Sequence, residues 1–376
     1  MRKLLKKAAA VTLTAAMAAS LTACGGSGDG ASKETGEAQA AGENGEKIKL
    51  TLCIGRKNDL SFQQSAYEGS LRIQEEMGDK YEVNVVEMGD DTTKWQAAFY
   101  DAADAGADIV VGTGFQNKEN FETIPTEYPD TKFILFDQEL DFESNDLPNT
   151  MGVLFDSNQS GFLAGAVAAY YTTGENAANA DKTIGFVGES TTVNNFLVGY
   201  AEGAKYVDPE IKVLTAYVGD YMDTAKAKDL ANAQISEGAD IIFQVAGGAG
   251  NGVIEAAAEK DGVMAIGVDS DQYQALEGSN LQPAVITSSL KRLDNALFNI
   301  CQSYAEDPSS VPFGENVTYG LAEDSVGIVF NDNLTNSIGQ ENVDKVQEAL
   351  EKIQVGEIEV TEAAGLSAEE IDAIVQ

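Results

Sequence analysis

The chain contains no histidine. That removes the commonest general base and metal ligand, and with it Ser-His-Asp catalysis, Cys-His catalysis and any Cys/His zinc pattern. Cysteine is nearly absent too, with three in 376 residues, at Cys24, Cys53 and Cys301. Cys53 sits inside a strand pattern, KLTLCIG, and Cys301 inside a helical one, ALFNICQSYAE. One disulfide between them is permitted, but apolar surroundings at both positions favour buried free thiols. Basic residues are scarce: 24 Lys and Arg stand against 61 Asp and Glu, a net charge of −37. So acidic a surface repels phosphate backbones, which argues against nucleic-acid binding, and it offers no polybasic patch to anionic lipid.

The N-terminus departs from this acidity. MRKLLKK clusters Arg2, Lys3, Lys6 and Lys7 without an acid, AAAVTLTAAMAAS follows, and Leu21-Thr22-Ala23-Cys24 closes the segment. A charged start, a short apolar core and small residues before a cut site read as a secretory signal over residues 1–23. The apolar core is shorter than the roughly 20 residues a spanning helix needs. Cys24 directly after Leu-Thr-Ala resembles the bacterial lipobox, whose thiol is diacylated and becomes the new N-terminus. Removing residues 1–23 takes away four basic residues and no acidic one, so the net charge moves from −37 to −41. Residues 24–46, rich in Gly, Ser, Ala and Glu, cannot bury enough apolar surface to offset their ordering entropy and read as a flexible linker.

From Ile48 onward 329 residues remain, more than one hydrophobic core usually accommodates, so two lobes are expected. Short β-rich runs alternate with amphipathic stretches. KIKLTLCIG, YEVNVVEM, ADIVVGTG, KFILFDQ and TMGVLFD read as strands, with helices at Ser61–Met77, over TTKWQAAFYDAADAG and within NKENFETIPTEYP. After SGFLAGAVAAYYTT and a polar gap the pattern restarts with TIGFVGES, KVLTAYVGD, ADIIFQVAGG and VMAIGVD as strands. Continuous runs such as DIVVG and IIF suit strands buried on both faces of a parallel sheet, and the alternation implies right-handed βαβ units. AGADIVVGTGFQN echoes EGADIIFQVAGGAGN, so the two lobes are expected to be similar doubly wound α/β units. Ligands of such sheets bind outside the carboxyl ends of the strands, which places one cleft between the lobes.

The strand ends carry the candidate chemistry. After the first strand, Asn58, Asp59 or Ser61 can cap the next helix, and Phe62 lies in its first turn, where an aromatic face can stack on a planar ligand. Gly219-Asp220-Tyr221 places a second aromatic at a strand end of the other lobe. Ala246-Gly247-Gly248-Ala249-Gly250 is a Gly-rich turn without the Lys-Ser/Thr of a P-loop and without the spacing of a dinucleotide fingerprint; its glycines allow close approach of a ligand to backbone. Asp269 ends another strand, and Lys291 follows PAVITSS. A carboxylate at such an end suits vicinal hydroxyls, and Lys291 is expected to pair with Asp269 or donate to a hydroxyl. Asp269 and Asp271 make poor paired catalysts, because residues two apart in extended chain face opposite ways.

NDLSFQQSAYEG, Gly114-Phe115, FDSNQSGFLAGAVAAY, YVGDYMDTAKAK, GADIIFQVAGGAGNGVIEAA, IGVDSDQ and ITSSLK occur in that order. Together they resemble the basic membrane protein family of substrate-binding lipoproteins, the group containing the purine nucleoside receptors. The resemblance implies a type I periplasmic-binding-protein fold: two doubly wound parallel-sheet lobes joined by a three-segment hinge. It assigns residues 47–156 and 270–288 to the N-terminal lobe, and 157–269 and 289–376 to the C-terminal lobe. It further implies a lipid-anchored, extracytoplasmic monomer that delivers a nucleoside to the permease of an ABC importer, with no cofactor and no metal.

By motif, Asp59, Phe62 and Gln63 fall at first-lobe base-contacting positions, Tyr221 at a stacking position, and Gly247 and Gly248 in the cleft-lining turn. Asp269 and Lys291 fall at ribose-contacting positions. Three departures stand out. Gln63 replaces the usual Asn, Tyr221 the usual Phe, and Gly188-Glu189-Ser190 a more common Gly-Gly.

Riboflavin, a sugar, or a sensing role fits the same fold. A hydrolase would need a polarised nucleophile or a metal site, against which the absence of histidine and the unclustered carboxylates argue, and a LacI-type regulator would need a helix-turn-helix where this chain has its signal segment.

Overall fold

A computed structural model describes residues 46–179 and 181–376. The expected export signal, Cys24 and residues 24–45 lie outside the described residues.

The first half of the chain folds as β1 (Ile48–Ile54), α1 (Phe62–Glu76), β2 (Tyr81–Glu87), α2 (Trp95–Asp104), β3 (Ile109–Thr113), α3 (Lys118–Thr123), β4 (Lys132–Phe136) and β5 (Thr150–Phe155). The pattern then repeats as α4 (Ser157–Thr172), β6 (Thr183–Gly188), α5 (Asn194–Val207), β7 (Lys212–Tyr217), α6 (Thr224–Ser236), β8 (Ile241–Val245), α7 (Asn251–Ala258) and β9 (Met264–Asp269). The remainder is α8 (Gln272–Ala275), β10 (Val285–Lys291), α9 (Leu293–Glu306), β11 (Asn316–Tyr319), β12 (Val326–Ile328), α10 (Asp332–Ile338), α11 (Gln340–Gln354) and α12 (Ala368–Val375).

Two six-stranded sheets result, ordered β11-β5-β4-β3-β1-β2 and β12-β10-β9-β8-β6-β7. They share one winding plan, which is what the internal echo foretells: β3 and β8 occupy the same place in their sheets, and every residue of both is buried. Among the described residues all strand pairings are parallel except β10 with β12. No helix of the described residues is long and apolar enough to cross a membrane.

The lobes divide differently from the expectation. β10 pairs with β9 in the second sheet, Ser288 opposite Gly267, so residues 270–288 stay in the second lobe rather than returning to the first. A βαβ unit whose crossover is only the short α8 lays its second strand beside its first, and the apolar run of β10 suits either sheet. The return to the first lobe comes one element later. Helix α9 packs on α1, with the Arg72 guanidinium 3.6 Å from the centre of the Phe298 ring, and the Tyr81 hydroxyl donates to the Cys301 carbonyl at 2.6 Å. β11 then joins the first sheet beside β5, Thr318 opposite Leu154. By sheet membership the chain crosses between lobes three times: after β5, after β10 and after β11.

The second lobe rests on a close helix pair. Almost all of α4 is buried, and it meets α5 at reciprocal glycines. A Cβ on Gly165 would fall 2.0 Å from the Tyr200 carbonyl oxygen, and one on Gly203 would fall 1.9 Å from that of Phe162. The last segment is tied to the same lobe, since Lys205 donates to the Ile374 carbonyl at 2.6 Å and Asn158 to that of Val360 at 2.9 Å. Cys53 and Cys301 are free, buried thiols, each pushed up to about 12 by burial and so unreactive at neutral pH.

Candidate binding site between the lobes

The carboxyl ends of β1 and β4 in the first lobe meet those of β9 and β10 in the second. Asp59 is the capping residue of α1: its carboxylate accepts the backbone N–H groups of Ser61, Gln63 and Gln64 at 3.0, 2.9 and 3.0 Å. Burial nevertheless pushes its pKa upward, against those three bonds. With the cap supplied by Asp59, the Ser61 hydroxyl is released to donate across the lobes to the Asp269 carboxylate. Two further bonds join the lobes at the same place, the Ser270 hydroxyl and the Gln272 amide donating to the Leu60 carbonyl at 2.9 and 3.1 Å.

Lys291 is the centre of the site. Its ammonium donates to both oxygens of Asp137, at 2.9 and 2.8 Å, and lies 5.5, 5.9 and 5.1 Å from the ring centres of Phe62, Phe155 and Phe196. The sequence suggested a pairing with Asp269; the hydrogen-bonded partner is instead Asp137, the residue directly after β4 in the opposite lobe. Lys291 still acts on Asp269 through its charge. Burial raises the Asp269 pKa to about 6, the Lys291 charge and the Ser61 hydroxyl oppose that rise, and Asp137 and Asp59 add to it. Such a carboxylate has strong reason to take hydroxyl or N–H donors from a ligand.

Gln63 is held by its carbonyl. Oε1 accepts the Gly55 N–H at 3.2 Å and the Thr113 hydroxyl at 2.9 Å, which fixes the amide's orientation. Its NH2 group has no partner among the described residues and remains a free donor. In the second lobe Tyr221 lies against Gly247, where an added Cβ would come within 3.1 Å of its ring, and the Tyr221 carbonyl accepts the Ala249 N–H at 2.7 Å. Gly247 has φ +54°, and a Cβ on Gly248 would sit 3.3 Å from the Tyr221 carbonyl oxygen. The glycine turn therefore seats Tyr221 and is not open to larger residues.

Of the five non-glycine residues with positive φ among the described residues, three stand here: Leu60 at +58°, Asp137 at +64° and Asp269 at +65°. Backbone held in this region is costly and gathers at binding sites. Asp137 is the residue that sequence reasoning missed. Its signal was the same as that of Asp269, an Asp directly after a buried apolar strand, FILFD beside IGVD. A separate hollow of about 290 Å³, lined by Asp156, Gln159, Ile358 and Glu359 among others, contains none of these residues.

The comparisons follow the same lines as the geometry. The family described as "ABC transporter substrate-binding protein PnrA-like" matches residues 49–364. The chain belongs to this family. Basic membrane protein A of Borreliella burgdorferi is 32% identical over 289 residues, 74% of this chain and 79% of that protein. The "ABC transporter nucleoside-binding protein BmpA" of Lactococcus lactis is 30% identical over 279 residues, 70% of this chain and 76% of that protein. Among solved structures, an ABC transporter solute-binding protein from Aeropyrum pernix superposes with a TM-score of 0.70 at 23% identity, covering 87% of this chain and 96% of that one.

The protein is thus an ABC transporter solute-binding protein with the type I periplasmic-binding-protein fold, of an extracytoplasmic family whose members are not enzymes. Its buried polar side chains from both lobes meet at one place, where Ser61 bonds Asp269 and Lys291 bonds Asp137.

Proposed function

We propose that this solute-binding protein captures a nucleoside between its lobes and hands it to the permease of an ABC importer, working as a monomer held to the membrane by a lipid on Cys24. The base lies between Phe62 of the first lobe and Tyr221 of the second. The Gln63 amide donates to an acceptor of the base, and Asp59 holds the first turn of α1, and with it Phe62 and Gln63, in position. Asp269 accepts from the ribose hydroxyls, and Lys291 donates to them from its aromatic surround. Gly247 and Gly248 let the ligand approach the turn that seats Tyr221.

The observation that carries this reading is the meeting of Asp269, Lys291 and Asp137 beside the Phe62 ring. It provides acceptors and one donor for a polyol next to an aromatic face for a ring. The nucleoside-binding relative from Lactococcus lactis is consistent with it. Thermal unfolding with added adenosine, guanosine, inosine or xanthosine tests the proposal, since a ligand that binds only the folded state raises the melting temperature by mass action. At least one of them is expected to raise it at millimolar concentration, and Asp269→Ala is expected to abolish the rise while folding normally. No rise with any of the four overturns the nucleoside reading. A rise retained in Asp269→Ala removes that residue from its role.

A further inference from the structure

One carboxylate-bearing residue at the strand ends of the second lobe is left over by this arrangement. Glu189 follows β6 directly. Its backbone is pinned between the ends of two neighbouring strands: its N–H donates to the Val245 carbonyl at 2.8 Å, and its carbonyl accepts the Gly219 N–H at 2.7 Å. These are the strands whose following turns carry Tyr221 and Gly247. Glu189 is only 9% exposed, and among the described residues its carboxylate, whose oxygens still touch solvent, has no Lys or Arg beside it. Its negative charge helps to raise the pKa of the Tyr221 hydroxyl, after burial as the main cause, so the carboxylate acts on that hydroxyl through its charge. A carboxylate in such a place accepts hydrogen bonds only, and leaving it unmatched on ligand binding is costly.

We infer that Glu189 sets the base preference of this cleft, selecting a base that presents two adjacent N–H donors. The inference rests on the nucleoside reading above. Guanine is the nucleobase with that edge: its N1–H and 2-amino group are coplanar and match the two oxygens of a carboxylate, as a guanidinium does. Hypoxanthine offers N1–H alone. Adenine sets a ring-nitrogen acceptor beside its single amino group, and that lone pair faces the carboxylate unfavourably. The free NH2 of Gln63, in the opposite lobe, complements the acceptor edge that guanine carries at O6 and N7.

Calorimetric titration of the wild-type protein and Glu189→Gln with guanosine, 1-methylguanosine, inosine and adenosine tests this. Wild type is expected to bind guanosine at least about tenfold more tightly than inosine, and 1-methylguanosine, which lacks the N1 donor, about as weakly as inosine or more so. Glu189→Gln is expected to lose the guanosine preference while binding adenosine at least as well as wild type. Equal affinity of wild type for guanosine, 1-methylguanosine and inosine overturns the inference without recourse to any variant. A guanosine preference unchanged in Glu189→Gln also overturns it, and in both cases the nucleoside reading stands. If no nucleoside binds either protein, the nucleoside reading falls and the inference with it.

Discussion

Replacing Lys291 by Met keeps the length of the side chain and removes its charge from the point where the two lobes meet. The ammonium is 8% exposed and donates to both oxygens of Asp137, whose side chain is 34% exposed. Removing one partner of a buried ion pair costs about 3–5 kcal/mol, and the partial exposure of Asp137 moves the expectation to the lower end, about 2–3 kcal/mol at pH 8. The pH dependence carries more information than the size. In the wild type Asp269 titrates at about 6, raised by burial and held back by Lys291.

Without the lysine its folded pKa rises further above its unfolded value. An acid with a raised folded pKa binds protons more tightly when folded, so stability falls as pH climbs from the unfolded pKa through the folded one. The destabilisation by Lys291→Met is therefore larger at pH 8 than at pH 5, where Asp269 takes up a proton. Urea unfolding of both proteins at the two pH values measures this, and Lys291→Met with Asp137→Asn is expected to recover part of the loss. An equal loss at pH 5 and pH 8 would refute the coupling of Lys291 to Asp269.

Asp240, just before β8, is fully buried, and burial pushes its pKa up to about 6. Its ionisation opposes folding above that pH, so Asp240→Asn should stabilise the protein at pH 8 by on the order of 2 kcal/mol and have little effect near pH 4, as read from denaturant midpoints. Gly165→Ala drives a methyl group to 2.0 Å from the Tyr200 carbonyl oxygen and should cost about 3 kcal/mol, whereas Gly327→Ala, with no atom within 4 Å of the new Cβ, should cost little; thermal unfolding of the two separates packing from backbone effects. Tyr221→Ala should weaken nucleoside affinity by at least about tenfold with unchanged melting temperature of the ligand-free protein, because the ring is carried on a turn rather than in a core.

The two lobes were legible in the sequence because their strands are unbroken apolar runs, such as IVVGT and IIFQV, set between stretches of helical period. The strand ends were legible for the same reason: Phe62, Tyr221, Asp269 and Lys291 each follow or close such a run. What escaped has identifiable causes. β11 and β12 are four and three residues long, too short to declare a period, and with them went the true positions of the later crossings. The choice of Asp137 over Asp269 as partner of Lys291 depends on how two lobes face each other, which no local pattern encodes. The same holds for Ser61, a residue type expected at a cap; Asp59 took the cap, and Ser61 became a tie between lobes.

The most direct test of ligand capture between the lobes is isothermal titration of the purified protein with guanosine, inosine and adenosine, repeated on Asp269→Ala. A single site per chain is predicted, saturable by at least one nucleoside and lost in the variant. Heat no different from buffer for all three nucleosides would contradict nucleoside capture by this cleft.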